Sequence, residues 1–195
     1  MGTIGQTLHF LGEFLKHPRQ MGAVAPSSAA LARQMVRSAA VPQADVVLEY
    51  GPGTGAFTGH ILAALRPGAR FVAIERNARL AALLQRRYPQ ARVVEGCVSL
   101  VEEICAAEGI EAADAIISGL PWAGFDESLQ RRLLEPAVKV LRPGGRFVTF
   151  AYLHASRLPG GRRFRRLLEA HFAEVDVSPV VWLNLPPAFA YRCLR

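Results

Sequence analysis

The run from Val46 to Thr58, V-V-L-E-Y-G-P-G-T-G-A-F-T, limits the folds open to this chain more than any other stretch. Val46, Val47 and Leu48 read as a buried strand. Glycines at 51, 53 and 55 then turn the chain, and Phe57, Ile61, Leu62 and Leu65 resume at helical spacing. Alternate glycines permit positive φ in a tight turn. They also remove Cβ atoms, so that a ligand can lie against bare backbone. The amides opening the next helix favour negative groups. Glu49 stands two residues before the first glycine, and Glu75 closes the next apolar run, Phe71-Val72-Ala73-Ile74. An acid at the tip of a second strand can accept both hydroxyls of a ribose.

From Asp45 onward, short apolar runs alternate with helical patterns. The expected strands are 45–50, 70–75, 91–95, 113–118 and 146–153, with helices near 56–65, 77–88, 99–107 and 127–141. Leu141-Arg142-Pro143-Gly144-Gly145 reads as a helix stop and turn. A helix near 161–172 and strands at 174–183 and 188–194 follow, the strands joined as an antiparallel pair through Asn184-Leu185-Pro186-Pro187. Such alternation predicts an α/β, doubly wound, Rossmann-like sheet with helices on both faces. At 195 residues, with 51% hydrophobic and 20% charged, the chain suits one folded catalytic or binding domain, residues 20–195, rather than a disordered one.

Before that domain, residues 1–19 form a separate unit. Ile4, Leu8, Leu11 and Leu15 repeat at helical spacing, Phe10 and Phe14 widen the stripe, and Lys16, His17 and Arg19 cluster where Pro18 ends it. One reading is a helix packed on the core. The other is an amphipathic helix lying on an anionic membrane surface, its basic end at the rim. The formal charge of +7 and a pI near 10 call for an anionic partner, nucleic acid or membrane. The three cysteines, 97, 105 and 193, are odd in number and lack metal spacing, so they read as reduced thiols in the cytoplasm, with no metal site. No apolar run reaches membrane-spanning length, and His9, Glu13, Lys16 and His17 interrupt any leader pattern.

Ligands of open α/β sheets bind beyond the carboxyl ends of the strands. There this sequence places Gly51, Gly53, Thr54 and Gly55 after the first strand, Glu75 and Arg76 after the second, and Cys97 and Val98 after the third. Ser118-Gly119-Leu120-Pro121-Trp122 follows the fourth, and Tyr152, His154, Ser156 and Arg157 follow the fifth. Tyr152 and His154 can bind a phosphate or take a proton from an ammonium. Arg157, Arg162, Arg163, Arg165 and Arg166 suit phosphates of lipid or RNA, or form a solvated helix face.

Gly51, Gly53 and Ala56 satisfy the relaxed dinucleotide fingerprint. The spacing E-x-G-x-G-x-G, however, resembles motif I of the class I S-adenosylmethionine-dependent methyltransferases, in which the acid, here Glu49, lies near the ammonium of the methionine moiety. Seven strands with the last antiparallel are similar to the sheet of that family. The family's acid after the third strand, which accepts from the adenine amine, is replaced here by Cys97. A thiol accepts poorly, so the resemblance leaves adenine to backbone groups and Val98. S-G-L-P-W resembles the N-P-P-Y tetrapeptide of amino-methyltransferases, with Gly119 at the Asn position and Trp122 as the aromatic. Without the Asn amide, a nucleobase amine fits less well. An aliphatic amine becoming cationic can be held against Trp122 by cation–π attraction.

With Gly22-Ala23-Val24-Ala25-Pro26-Ser27-Ser28, these motifs resemble the bacterial phospholipid N-methyltransferases, relatives of the ribosomal RNA adenine dimethylases. The resemblance implies N-methylation of phosphatidylethanolamine and its methylated forms at the inner face of the membrane, reached through residues 3–19, with no nucleic acid partner. It assigns S-adenosylmethionine, leaving as S-adenosylhomocysteine, to Glu49, Gly51, Gly53, Thr54, Gly55, Glu75, Arg76, Cys97, Val98, Gly119 and Leu120. The lipid falls to Ser28, Pro121, Trp122, Tyr152 and Arg157, and proton transfer to Tyr152 and His154. The alternative is an adenine N6-methyltransferase acting on ribosomal RNA. Gly119, and the absence of a helical RNA-binding domain after the last strand, weigh against it.

Overall fold

The computed structural model describes residues 27–195; the expected helix within residues 1–19 lies outside them. Helix α1 (Ala29–Ser38) precedes β1 (Val46–Tyr50), α2 (Thr58–Ala64), β2 (Arg70–Glu75), α3 (Ala78–Arg87), β3 (Arg92–Glu95) and α4 (Val101–Ala107). Then come β4 (Ala113–Ser118), α5 (Glu127–Val140), β5 (Leu141–Tyr152), α6 (Pro159–His171), β6 (Glu174–Val177) and β7 (Ala188–Leu194). The seven strands form one sheet in the order β3-β2-β1-β4-β5-β7-β6. Pairs within β3-β2-β1-β4-β5 are parallel, and β7 runs antiparallel to both neighbours. This is the doubly wound seven-strand sheet that the alternating pattern predicts.

The strand period of two sorts the core. Along β1, Val47 packs with Leu31 and Met35 of α1 and Ile61 of α2 on one face. Leu48 and Tyr50 pack with Val101 of α4, Leu133 of α5 and Phe164 of α6 on the other. Val47, Leu48, Ile74, Ile116 and Ile117 are all fully buried, each contributing roughly 2 kcal/mol of transfer free energy. Glu49 shares the face of Val47, which brings a carboxyl into an apolar layer. The sheet reverses its winding between β1 and β4, and the crevice at their carboxyl ends is where such sheets bind ligands.

Three boundaries differ from expectation, each for a local reason. The 141–145 segment is a bulge inside β5. Leu141 pairs with Ala113 and Arg146 with Ala115, and the extra residues are taken up around Gly144 at φ 74°. Strand β6 stops at Val177, well short of 183. Pro179 has no amide for the ladder, and only a single bridge, Val181 to Ala188, follows. Helix α2 starts at Thr58 because residues 53–57 are turns. It is too short for its dipole to dominate the glycine loop, whose Gly51, Gly53 and Gly55 amides already donate to Ile74 O, Glu75 Oε2 and Pro52 O.

Candidate functional site

The three glycines of the first loop adopt φ of 61°, 57° and 87°. At Gly51 the requirement is also steric. A Cβ there would stand 2.6 Å from Leu120 Cδ2, so the loop after β1 and the loop after β4 touch with no room for a side chain. Glu75, 3% exposed, closes over the loop. Its Oε2 accepts from the Gly53 amide at 3.0 Å and its Oε1 from the Asn77 amide at 2.8 Å. Glu49 is fully buried. Its Oε2 accepts from the Thr58 hydroxyl at 2.7 Å, whereas Oε1, equally buried, has no partner. Burial pushes its pKa up to about 8, the Thr58 hydrogen bond pulls the other way, and the Glu75 charge adds to the rise. The loop therefore holds a carboxyl short of one partner, and a cation would supply it.

The loop after β4 is built around Ser118. Its hydroxyl accepts from the Trp122 indole Nε1 at 3.0 Å and from the Leu120 amide at 3.3 Å. Gly119 donates to Tyr50 O at 2.8 Å, and a Cβ on it would come within 2.8 Å of Gly51 O. No Asn can occupy this position while β1 and β4 pair as they do. Gln130, fully buried, donates from Nε2 to Trp122 O at 2.8 Å and Gly160 O at 3.1 Å. It thereby pins the loop to the start of α6.

Beside this loop opens a cavity of about 190 Å³, lined by Leu120, Pro121, Trp122, Phe150, Tyr152, His154, Leu158, Phe164 and Tyr191 among others. Leu120 belongs both to the cavity wall and to the contact with Gly51, so cavity and glycine loop share one side chain as partition. Tyr152 and His154 stack with ring centroids 5.8 Å apart and planes 11° from parallel. Burial raises the Tyr152 pKa above its ordinary 10. The phenol therefore stays protonated near neutral pH and can serve as a donor.

The structure brings Glu49, Gly51, Gly53, Gly55, Glu75, Gly119 and Leu120 together around the crevice, and Pro121, Trp122, Tyr152 and His154 around the cavity. Trp122 differs from expectation. It is 2% exposed, with Phe164 stacked on it at 4.6 Å and edge contacts to Phe125 and Phe147. It is a buried wall, not an open platform for a cation, because Ser118 and Gln130 draw it inward. Arg157 is exposed and outside the cavity lining. Arg165 pairs with Glu169 at 2.8 Å. Ser28 caps α1 through its hydroxyl, and its amide donates to Asn184 Oδ1 at 2.9 Å. Thr54 is exposed, with its carbonyl accepting from Arg87, and Arg76 is exposed. Cys97 is half-buried and accepts from the Ser99 hydroxyl, while Val98 is in the core. Thr58, Gln130, Phe150, Phe164 and Tyr191 escaped the sequence reading. Of these only Thr58 left a signal, a hydroxyl just beyond the glycines. Among the described residues no cluster of His, Cys, Asp and Glu is arranged to hold a metal.

Comparison with known proteins is consistent with this geometry. Residues 47–145 match the family model described as a methyltransferase domain. The chain is 38% identical to an ornithine lipid N-methyltransferase of Singulisphaera acidiphila over 189 residues, 94% of this chain and 93% of the relative. A ribosomal RNA small subunit methyltransferase A of Caulobacter vibrioides is 38% identical over 94 residues, 46% of this chain and 34% of that one. Among solved structures, an O-methyltransferase from Bacillus cereus in complex with SAH superposes with a TM-score of 0.67 at 18% identity, over 96% of this chain and 91% of the other.

Proposed function

Since the chain belongs to the class I S-adenosylmethionine-dependent methyltransferases, we propose that it N-methylates the aliphatic amine of a membrane lipid. Its relative is named for ornithine lipid. The resemblance carried by residues 22–28, the glycine loop and S-G-L-P-W adds phosphatidylethanolamine and its methylated forms. Both headgroups present an amine on a flexible carbon chain, and both suit a peripheral enzyme on the inner face of the membrane. No helix among the described residues is long and apolar enough to cross a bilayer. Attachment is assigned to residues 3–19, which carry the apolar stripe and basic end.

The glycine loop fits the methyl donor. Bound there, S-adenosylmethionine supplies an electrophilic methyl on a positively charged sulfur. Glu49 Oε1, buried and without a partner, suits the donor's ammonium. Glu75 keeps lone pairs beyond those engaged by Gly53 and Asn77, and they suit the ribose hydroxyls. Gly51, Gly53, Thr54, Gly55, Gly119 and Leu120 provide the bare backbone between, Arg76 the rim, and Cys97 and Val98 the adenine side.

The observation that carries the reading is the shared wall at Leu120. It sets an apolar, aromatic cavity directly against the glycine loop, so that a donor on one side and an amine on the other are neighbours. Pro121, Trp122 and Phe164 exclude water around the amine. His154, exposed and stacked on Tyr152, takes the amine's proton, with the Tyr152 phenol donating to the headgroup. Ser28 and Arg157 are assigned to the outer headgroup.

The test is transfer of labelled methyl from S-adenosylmethionine to vesicles containing phosphatidylethanolamine, to vesicles containing ornithine lipid, and to ribosomal RNA. Label in either lipid supports the reading and selects the headgroup. Label in RNA alone overturns it.

A further inference from the structure

The connection between β6 and β7 carries an apolar surface that the fold itself does not use. Trp182 is 68% exposed, Leu183 83% and Leu185 64%. These exposures are not the result of a loose loop. Asn184, between them in sequence, is 2% exposed. Its Nδ2 donates to Pro186 O at 2.7 Å, its Oδ1 accepts from the Ser28 amide, and its own amide donates to Val181 O at 3.2 Å. A buried polar side chain thus holds three large apolar ones in water. Burial of the reverse pattern is what a water-soluble loop would favour.

The loop also sits beside the cavity. Ala188 pairs with Tyr152, and the Leu153 amide donates to Pro187 O at 2.9 Å. The loop is therefore stitched to the segment that carries His154, at the end of the sheet where the crevice opens. On that segment Leu158 is a further exposed apolar side chain, at 54%, and Arg157 is exposed next to it. Trp and Leu at the centre with Arg and His at the border is the composition that seats at a lipid interface, the rings and Leu among acyl chains and the cations against phosphates. The chain's net charge of +7 has the sign an anionic surface attracts.

We propose that Trp182, Leu183 and Leu185 insert into the lipid interface and set the cavity mouth at headgroup level. This rests on the lipid reading above and adds to it a second attachment point, distinct from residues 3–19. Two weak anchors together give stable binding where one gives only a transient contact.

Trp182 is its own probe. Trp122, the other of the two tryptophans, is buried. The full chain is mixed with vesicles of phosphatidylcholine and phosphatidylglycerol in equal parts, with bromine on the phosphatidylcholine acyl chains. Insertion predicts quenched, blue-shifted emission in the native protein and none in Trp182→Phe. The triple variant Trp182→Ser, Leu183→Ser, Leu185→Ser should bind S-adenosylhomocysteine as the native chain does, which certifies its fold. Its vesicle partition should fall by about a hundredfold, with methyl transfer lost on vesicles and kept on a short-chain, monomeric amino lipid. Absence of quenching in the native protein overturns the proposal whatever the variant does, and so does native partition by the triple variant. If the native chain methylates no lipid amine in either form, the substrate reading fails while quenching still decides the loop.

Discussion

Glu49→Gln isolates the energy that the glycine loop holds in reserve. The carboxyl's ordinary pKa of 4.5 is raised to about 8 in the folded chain. At about 1.4 kcal/mol for each tenfold change in proton affinity, holding the charged form there costs roughly 5 kcal/mol. The sign follows from which state binds the proton. Between 4.5 and about 8, the folded chain keeps it and the unfolded chain has lost it. The stabilising contribution is therefore complete below the lower value, erodes as pH rises through the window, and levels off above the upper one. Gln keeps the shape and the acceptor for Thr58 but does not titrate. Its amide adds a fixed, pH-independent cost. Urea unfolding of both forms should show the variant gaining roughly 2 kcal/mol on the native chain between pH 6 and pH 8, then levelling off toward pH 9.

Ligand binding should show the same charge from the other side. Near neutral pH the free carboxyl is about nine-tenths protonated, and the ligand's ammonium selects the carboxylate. Binding of S-adenosylhomocysteine should then release a proton. Its affinity should rise up to about tenfold per pH unit below pH 8 and be flat in Glu49→Gln. Titration calorimetry in two buffers of different ionisation heat counts that proton. Stability curves that run parallel from pH 6 to pH 9, with no proton released on binding, would refute a buried, unpartnered Glu49.

Gly119→Ala drives a Cβ to 2.8 Å from Gly51 O, a backbone atom that cannot swing aside. It should lower Tm by several degrees and weaken S-adenosylhomocysteine binding by about tenfold or more, because the glycine loop must move. Glu75→Ala leaves the Gly53 and Asn77 amides without their acceptor and should weaken the same binding by roughly one to two orders of magnitude in calorimetry. Deleting residues 1–16 should abolish co-sedimentation with anionic vesicles while leaving ligand affinity near native. A truncated chain that still sediments assigns attachment to the rest of the molecule.

What was readable in the sequence was local. Glycines at 51, 53 and 55 with acids at 49 and 75 constrain a strand, a turn and a second strand through short-range pattern, and the sheet puts them where that pattern requires. The cavity was not local. Phe150, Phe164 and Tyr191 come from β5, α6 and β7, and they meet only because β7 inserts beside β5. Trp122 was identifiable by its motif, yet its burial depends on Gln130, a helix residue with no motif at all. Gly119 stood out in the sequence as a missing Asn. The paired strands give the physical reason, since the carbonyl of Gly51 fills the space a side chain would need.

Three features at the carboxyl edge of this sheet lower stability when taken as folding alone. A buried carboxyl oxygen lacks a partner, and two loops are pressed together until neither tolerates a Cβ. Above them a tethered loop holds Trp and Leu in water. Features of this kind mark a site kept for something other than the fold. They also differ in the medium that would relieve them. The carboxyl wants a cation inside the crevice, whereas the loop wants hydrocarbon outside it. A reaction with a charged, water-borne donor and an amine embedded in lipid supplies both at once. The Leu120 partition touches the crevice on one side and the cavity on the other, which is where the proposed reading brings donor and amine together.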